Sequence, residues 1–144
     1  MMDAIDQRLL FLLEQDSRVS LKKLGAAVQM SSPSVSERLK RLEERGILRA
    51  YTIDIDPIAL GYTLQALVRI KPLPGQLKVV QALIEQTPEF CECDKVTGDD
   101  CFVARLFVRS VEQLDSILER ISEKAELNTS IVKSQPIKRR GILG

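Results

Sequence analysis

The feature that most constrains how this chain folds is the segment 20–49, in which two short amphipathic patterns flank a polar turn. Leucine and valine recur at helical spacing on both sides of the turn, so each pattern can bury one apolar stripe. The stripes comprise Leu21, Leu24 and Val28 before the turn and Val35, Leu39 and Leu42 after it. Two short helices joined by a tight turn are the sequence form of a helix-turn-helix.

The ends of the second helix are marked by residue types that favour helix termini. Ser32 can accept hydrogen bonds from the first backbone N–H groups, and Pro33 suits the first helical position because its φ is already fixed. Gly46 is predicted to end the helix in the left-handed conformation. Residues 4–15 form a third amphipathic pattern, which needs the other two helices to bury its apolar face.

The polar face of the second helix suggests its function. If the apolar stripe faces inward, helical periodicity places a mixed set of polar side chains on the opposite face. Arg and Lys neutralise phosphates and bind guanine edges, Ser donates to phosphate or base, and Glu accepts from cytosine. The predicted DNA-binding residues are Ser34, Glu37, Arg38, Lys40 and Arg41. The alternative is an ordinary solvated helix face, which the presence of three helices in tandem disfavours.

Composition limits the class of protein. Hydrophobic residues make up 44% and charged residues 28% of the 144-residue chain, as in ordinary globular proteins. No apolar run reaches the roughly 18 residues that cross a bilayer, and the first residues lack the pattern of a secretory signal. We therefore expect a cytoplasmic protein without a membrane partner. The net charge of +1 means that DNA affinity must come from a local basic patch and from several copies of the chain.

Histidine is absent, which removes the commonest general base and the usual metal ligand. Cys91, Cys93 and Cys101 lack the fourth ligand of a structural zinc site, so we predict free thiols. An enzyme that uses Asp99, Asp100 and Cys101 is an alternative, but the sequence offers no base for the thiol. We predict no catalytic residue, no metal site and no cofactor.

The rest of the chain predicts a second domain. Residues 47–56 end in an apolar and polar alternation typical of a strand or β-wing, and the D-P-I-A-L-G-Y segment that follows is typical of a linker. The predicted domains are therefore 1–62, a helix-turn-helix domain with wing and linker, and 63–144. Strands at 64–70, 90–97, 101–108 and 127–137 and helices at 76–86 and around Leu114–Ile121 give the order βαββαβ.

This order is that of the ferredoxin-like split βαβ plan, so the predicted fold class is α+β. A winged helix-turn-helix domain precedes a four-stranded sheet that has helices on one face only. The other face then needs a covering, which a second copy of the chain can supply.

Several separate motifs make the chain similar to one known family. They are D-x-I-D with an apolar run from Asp3 to Leu13, S-V-S-E-R-L-K-R-L-E-E-R-G-I-L at 34–48, D-P-x-x-L-G from Asp56 to Gly61, and V-T-G-D-D at 96–100. In this order they resemble the leucine-responsive and asparagine-synthase regulators, the Lrp/AsnC family. The resemblance implies a DNA-binding domain joined to an amino-acid-sensing ferredoxin-like domain, in homodimers that assemble to tetramers or octamers.

The resemblance also implies residues for the effector site. The family's effector loop falls on Thr97, Gly98, Asp99, Asp100 and Cys101, and a second ligand segment falls on Thr129, Ser130 and Ile131. A glycine exposes N–H groups for a carboxylate, and an acidic side chain can pair with an α-ammonium group. Without the resemblance, T-G-D-D is an ordinary polar turn. Many members of the family have aspartate where Cys101 stands, which leaves the identity of the ligand open.

We therefore expect a sequence-specific, double-stranded-DNA-binding transcription regulator that is modulated by an amino acid bound between sensor domains. The alternative is a ligand-independent nucleoid-organising protein that wraps DNA through assembly. A last basic cluster, Lys138-Arg139-Arg140, is predicted to be a disordered surface end.

Overall fold

The structure, a computed structural model that describes residues 2–143, divides into two compact units. The first comprises the residues up to Asp54 together with the C-terminal segment from Ile137, and the second is Ile55–Pro136. The boundary predicted near residue 62 therefore lies inside the second unit, and the last residues belong to the first. Proline and glycine at 57–61 do form a turn, a 3₁₀ helix at Ile58–Leu60. Proline and glycine in a sequence indicate a turn, but they do not indicate to which of the two units the turn belongs.

The first unit is built from three helices, α1 (Ala4–Gln15), α2 (Leu21–Val28) and α3 (Ser32–Glu44). Their shared core consists of five buried side chains, Leu9, Leu24, Val35, Leu39 and Leu42. The sequence predicts that all five face inward, because four of them belong to the apolar stripes of 20–49 and Leu9 belongs to the amphipathic pattern of residues 4–15. The periodicity of 20–49 is thus confirmed as a pair of helices with one common buried face, except that Leu21, at the start of α2, is 39% exposed and does not join it.

The start of α3 differs by one residue from the prediction, whereas its end is as predicted. Ser31, and not Ser32, is the N-cap, and its Oγ accepts a hydrogen bond from the Ser34 N–H at 3.3 Å. Gly46 has φ +73°, as predicted, and its N–H donates to the Glu43 carbonyl. The N–H of Ile47 donates to Leu42, which completes a Schellman motif.

The wing strand predicted for residues 47–56 is wrong for this chain, because no strand forms in the described segment between α3 and the 3₁₀ turn. The Leu48 N–H donates to the Leu42 carbonyl, and the Tyr51 hydroxyl donates to Glu43 Oε1 at 3.0 Å, so this segment is attached to the end of α3. Ile53 is 78% exposed. Alternation of residue types permits a strand, but a strand also needs a neighbour for its hydrogen bonds.

The second unit has the predicted order βαββαβ. Its elements are β1 (Leu64–Pro72), α4 (Leu77–Glu85), β2 (Phe90–Lys95), β3 (Phe102–Val108), α5 (Val111–Ser122) and β4 (Ala125–Ile131). The strands form one antiparallel sheet in the order β2-β3-β1-β4. The last strand is shorter than predicted. Ile131 pairs with Ala66, close to the first residue of β1, so a longer β4 would have little left to pair with.

One face of the sheet packs against α4 and α5, and the alternate residues point the other way. Val68, Ala104 and Leu106 are fully buried on the helix side. Leu67 pairs directly with Arg105 on the opposite face, and both are only half-buried. Within Ile55–Pro136 both helices pack on the first face, and neither lies over this opposite face. None of the described helices is long and apolar enough to cross a bilayer.

Candidate functional site

The turn between α2 and α3 fixes the position of the second helix relative to the first. Gly25 is buried inside α2, and a Cβ at this residue would overlap the carbonyl oxygen of Met30. The Met30 N–H donates to the Gly25 carbonyl at 2.9 Å, and Gln29 ends α2 in the left-handed conformation with φ 57°. The backbone of the turn therefore passes directly over Gly25, which only a residue without a side chain allows.

The face of α3 that points away from the core is polar and accessible. Ser34, Glu37, Lys40 and Arg41 are all exposed, as their predicted role requires. Arg41 Nε lies 3.5 Å from Glu37 Oε1, but both side chains are more than half exposed. An ion pair this exposed is weak, so a phosphate can replace the carboxylate as the partner of Arg41.

Arg38 differs from the other predicted DNA-binding residues because its side chain turns back toward α1. Its Nη1 donates to Asp3 Oδ2 at 2.7 Å and to Asp6 Oδ1 at 3.1 Å, and the side chain is 25% exposed. The hydrogen bond from Arg38 lowers the pKa of the Asp3 carboxyl, and the Asp6 N–H lowers it further. The two carboxylates raise the pKa of Arg38 above its ordinary value. Arg38 thus joins the middle of α3 to the first turn of α1.

The start of α3 adds backbone donors to this face. The first N–H groups of a helix carry partial positive charge and favour an anion. Ser31 caps one of them, and its hydroxyl also donates to Ser34 Oγ at 2.9 Å. The Ser34 hydroxyl accepts this bond and keeps its own proton for an acceptor such as a phosphate oxygen. Lys40 and Arg41 supply the charge.

The predicted effector loop connects β2 to β3. It is closed by a hydrogen bond from the Val96 N–H to the Cys101 carbonyl at 2.8 Å, and Gly98 has φ +109°, a value that favours glycine. Thr97, Gly98 and Asp99 are exposed. Asp100 and Cys101 are half-buried, and Cys101 packs against the core of the second unit. The loop therefore exposes backbone N–H groups and a carboxylate to solvent, and its last residue, Cys101, is held by the core of the second unit.

The second predicted ligand segment lies on the other edge strand. Thr129, Ser130 and Ile131 are exposed on β4 and pair with the Ala66–Val68 part of β1. The predicted effector loop, in contrast, leads into β3 at Phe102, which pairs with Ile70 on the other side of β1. With strands about 4.8 Å apart and residues about 3.3 Å apart, the two segments are separated by more than about 10 Å. One chain does not bring the two predicted ligand segments together.

Three residues shape the first unit and were not predicted to do so. Asp3, the N-cap of α1, and Asp6, in its first turn, both face Arg38, and Gly25 allows the close approach of the turn between α2 and α3. The spacing of the two aspartates places them on one helix face, which is a visible sequence signal. The partner of that face depends on how α1 packs on α3, which no local pattern specifies.

Two protein-family models match the sequence of this chain. Residues 2–43 match the AsnC-type helix-turn-helix domain, and residues 65–142 match the Lrp/AsnC ligand-binding domain. The chain belongs to the Lrp/AsnC family. The resemblance in the motifs is thereby confirmed, and so is the plan of a DNA-binding helix-turn-helix unit joined to an α+β ligand-binding unit.

Relatives in the Lrp/AsnC family cover almost the whole chain. The transcriptional regulator LrpA of Mycobacterium tuberculosis is 35% identical over 129 residues, which is 89% of this chain and 86% of the relative. LrpC of Bacillus subtilis is 28% identical over 93% of both chains. A feast or famine regulatory protein of M. tuberculosis, solved with L-methionine, is 31% identical with a TM-score of 0.92 over 100% of both chains. This Lrp/AsnC chain is therefore a DNA-binding transcriptional regulator with a ligand-binding domain.

Proposed function

We propose that this regulator binds double-stranded DNA through the exposed face of α3 and that a free amino acid bound by the second unit modulates this binding. The observation that carries the first part is the set of exposed polar side chains Ser34, Glu37, Lys40 and Arg41 on a helix held by its turn. Arg38 has a different role in this proposal, that of positioning α3 on α1. No residue is asked to perform chemistry. A DNA-binding regulator acts where the DNA is, so we place the protein in the cytoplasm.

The test of the DNA contact is a titration of duplex DNA in which Lys40→Gln and Arg41→Gln are made together. Removing one phosphate contact lowers the slope of log affinity against log salt by about 0.9. The matched control is Lys78→Gln with Lys124→Gln, which removes two exposed cations from the second unit. Equal slopes for the α3 variant and the wild type would refute the proposed contact.

The proposed ligand is an amino acid, for two reasons. The loop around Gly98 exposes N–H groups that suit a carboxylate, and the Asp99 carboxylate can pair with an ammonium group. In addition, the structural neighbour solved with L-methionine is 31% identical over the full chain. We extend this ligand class to the present chain, with L-methionine as the first compound to test.

Binding is tested by the melting temperature of the purified protein with each of the twenty amino acids, because a ligand of the folded state raises it. We expect at least one clear rise that Asp99→Asn or Asp100→Asn abolishes. Asp94→Asn, on the neighbouring strand, is the control. Twenty unchanged melting temperatures would remove the effector part of the proposal and favour a ligand-independent DNA-organising role.

We further propose that a second copy of the chain covers the open face of the sheet and that dimers assemble further to tetramers or octamers. On this face Gln65 Nε2 and Arg105 Nη1 are buried without a hydrogen-bond partner in the described part of the chain. This chain's own atoms enclose both groups, and the half-buried apolar side chains Leu67 and Phe107 beside them are the surface that a second copy would remove from water. The wide separation of the two ligand segments also favours a site that is completed between copies.

Light scattering after size-exclusion chromatography tests this assembly. Leu67→Glu introduces a charge on the open face, so we expect it to reduce the oligomer to smaller species. Val79→Glu makes the same change at a residue of α4 that is 45% exposed, away from the open face. An unchanged mass for the Leu67 variant would contradict the proposed interface.

A further inference from the structure

The C-terminal residues 137–143, which we call the basic tail, belong to the same compact unit as α1, α2 and α3. Gly141 marks where the tail contacts this unit. A Cβ at Gly141 would overlap the Glu14 carboxylate, so the tail backbone passes directly over this side chain near the end of α1. The basic tail is therefore located on the DNA-binding unit, although in the sequence most of it lies at the end of the stretch that matches the ligand-binding domain.

The end of α1 is an electrostatically suitable place for a basic segment. The last turn of α1 contains no basic residue, and Glu14 is followed by Asp16 at the C-cap. Carboxylates at a helix C-terminus face the negative end of the helix dipole, whereas cations there are favourable. The basic tail brings the backbone of Gly141, the residue directly after Arg140, to this acidic helix end.

The basic tail changes the charge of the DNA-binding unit. Residues 1–54 carry nine Lys and Arg against eight Asp and Glu, a net charge of +1. The tail adds three cations and no acid, which gives the unit +4, whereas Ile55–Pro136 carries −3. All three cations are exposed, and within residues 2–143 none of them forms an ion pair.

We propose that the basic tail is a second DNA-binding element, whose contacts with the phosphate backbone add to those of α3. Phosphate contacts carry little sequence information, but they supply affinity and fix the orientation of the protein on the duplex. Exposed cations held on a folded surface lose less freedom on binding than cations on a free chain. The inference rests on the proposed contact of α3 with DNA, which its test treats separately.

The test compares salt slopes for binding to a long DNA duplex. Lys138→Gln, Arg139→Gln and Arg140→Gln are made together, with Lys78→Gln, Lys124→Gln and Lys133→Gln as the matched control in the second unit. We expect the tail variant to lower the slope by between about 1 and 3 per chain, at about 0.9 for each phosphate contact. The control variant is expected to keep the wild-type slope.

A second pair of variants tests whether the contact between Gly141 and Glu14 fixes the position of the tail. The side chain of Gly141→Leu has to push the Glu14 carboxylate aside, and we expect it to loosen the tail and to lower the slope toward that of the neutral tail. Adding Glu14→Ala clears the space, and we expect the slope to return toward the wild-type value. Melting temperatures of all variants are measured in parallel, because a tail that only stabilises α1 would change these and not the slope.

The outcomes separate this inference from the function on which it rests. A lower slope for the neutral tail, reproduced by Gly141→Leu and rescued by Glu14→Ala, supports a docked DNA contact. An unchanged slope for the neutral tail, while Lys40→Gln with Arg41→Gln still lowers it, overturns the inference and leaves the function of α3 intact. A lower slope for the neutral tail but not for Gly141→Leu overturns the docked tail in favour of a free basic arm. If the α3 variant also binds like the wild type, the proposed function itself has failed.

Discussion

Arg38 Nη1 donates to Asp3 Oδ2 at 2.7 Å, and this bond joins the middle of one helix to the N-cap of another. Asp3 at the same time accepts the Asp6 N–H at 2.8 Å, so a single carboxylate caps α1 and holds Arg38. Asp6 contributes the second acceptor for Arg38. The arrangement makes the orientation of α3 on α1 depend on three charged residues at the edge of a small core.

The ion pair predicts a pH dependence of stability. Because Arg38 lowers the pKa of Asp3 below 3.8, the ionised Asp3 stabilises the fold at pH values above its unfolded pKa. This contribution is lost as the pH falls through the lowered pKa. Asp3→Asn keeps a good N-cap and removes the charge. We expect its melting temperature to lie below that of the wild type at neutral pH and to converge with it under acidic conditions below pH 3.8. Asp54→Asn, at an exposed carboxylate, is the control.

Arg38 is expected to affect DNA binding differently from Lys40 and Arg41. Arg38→Gln should weaken binding because α3 loses its anchor, while the slope of log affinity against log salt stays at the wild-type value. A residue that contacts phosphate directly would instead lower the slope by about 0.9. Fluorescence anisotropy across a salt series measures both quantities. A lower slope for Arg38→Gln would show that its guanidinium leaves the aspartates for the DNA.

Gly25 is expected to be the glycine of the first unit least tolerant of a side chain. Gly25→Ala forces the Met30 carbonyl to move, and overpacking of this kind typically costs about 1–3 kcal/mol. Alanine would favour the helix itself, so any net loss comes from the contact. Gly46→Ala is the comparison, since Gly46 has φ +73° and open space around it, and only its conformation is penalised. Urea unfolding gives both values, and a tolerated Gly25→Ala would contradict the close approach.

Ser110 begins α5 with a capping arrangement that can be tested by itself. Its Oγ accepts the Gln113 N–H at 3.1 Å, and Gln113 Oε1 accepts the Arg109 N–H at 2.7 Å. Ser110→Ala removes the first of these bonds, and loss of such a cap costs about 1 kcal/mol. Ser122→Ala, at the other end of the same helix, is expected to cost less. Urea unfolding of the two variants in parallel checks the order.

Cys91 and Cys93 are exposed, yet we expect both to react slowly with alkylating reagents at neutral pH. Partial burial of the sulfur raises the pKa of each thiol above 9.0, and the neighbouring Glu92 raises that of Cys91 further. The thiolate is the nucleophile, so labelling should accelerate as the pH rises. Mass spectrometry after timed iodoacetamide treatment gives the rates. Glu92→Gln should increase labelling of Cys91, and fast labelling of the wild type at neutral pH would refute the expected shift.

Local sequence is sufficient to predict the helices of the first unit, the order βαββαβ and the exposed face of α3. These follow from periodicity and from caps such as Gly46, whose effects extend over one or two helical turns. The family also follows from the sequence, because its motifs are separate stretches that keep their order along the chain. The exposure of Lys40 and Arg41 is a consequence of the same periodicity.

Tertiary packing determines the partner of Arg38, the location of the basic tail, the absence of a wing strand from residues 47–56 and the separation of the two ligand segments. Each depends on which elements meet in space. The charge of Arg38 is visible in the sequence, but its distance to Asp3 is set by the packing of two helices through a core of five side chains. Residues 47–54 have the alternation of a strand, but a strand forms only where a neighbour supplies hydrogen bonds.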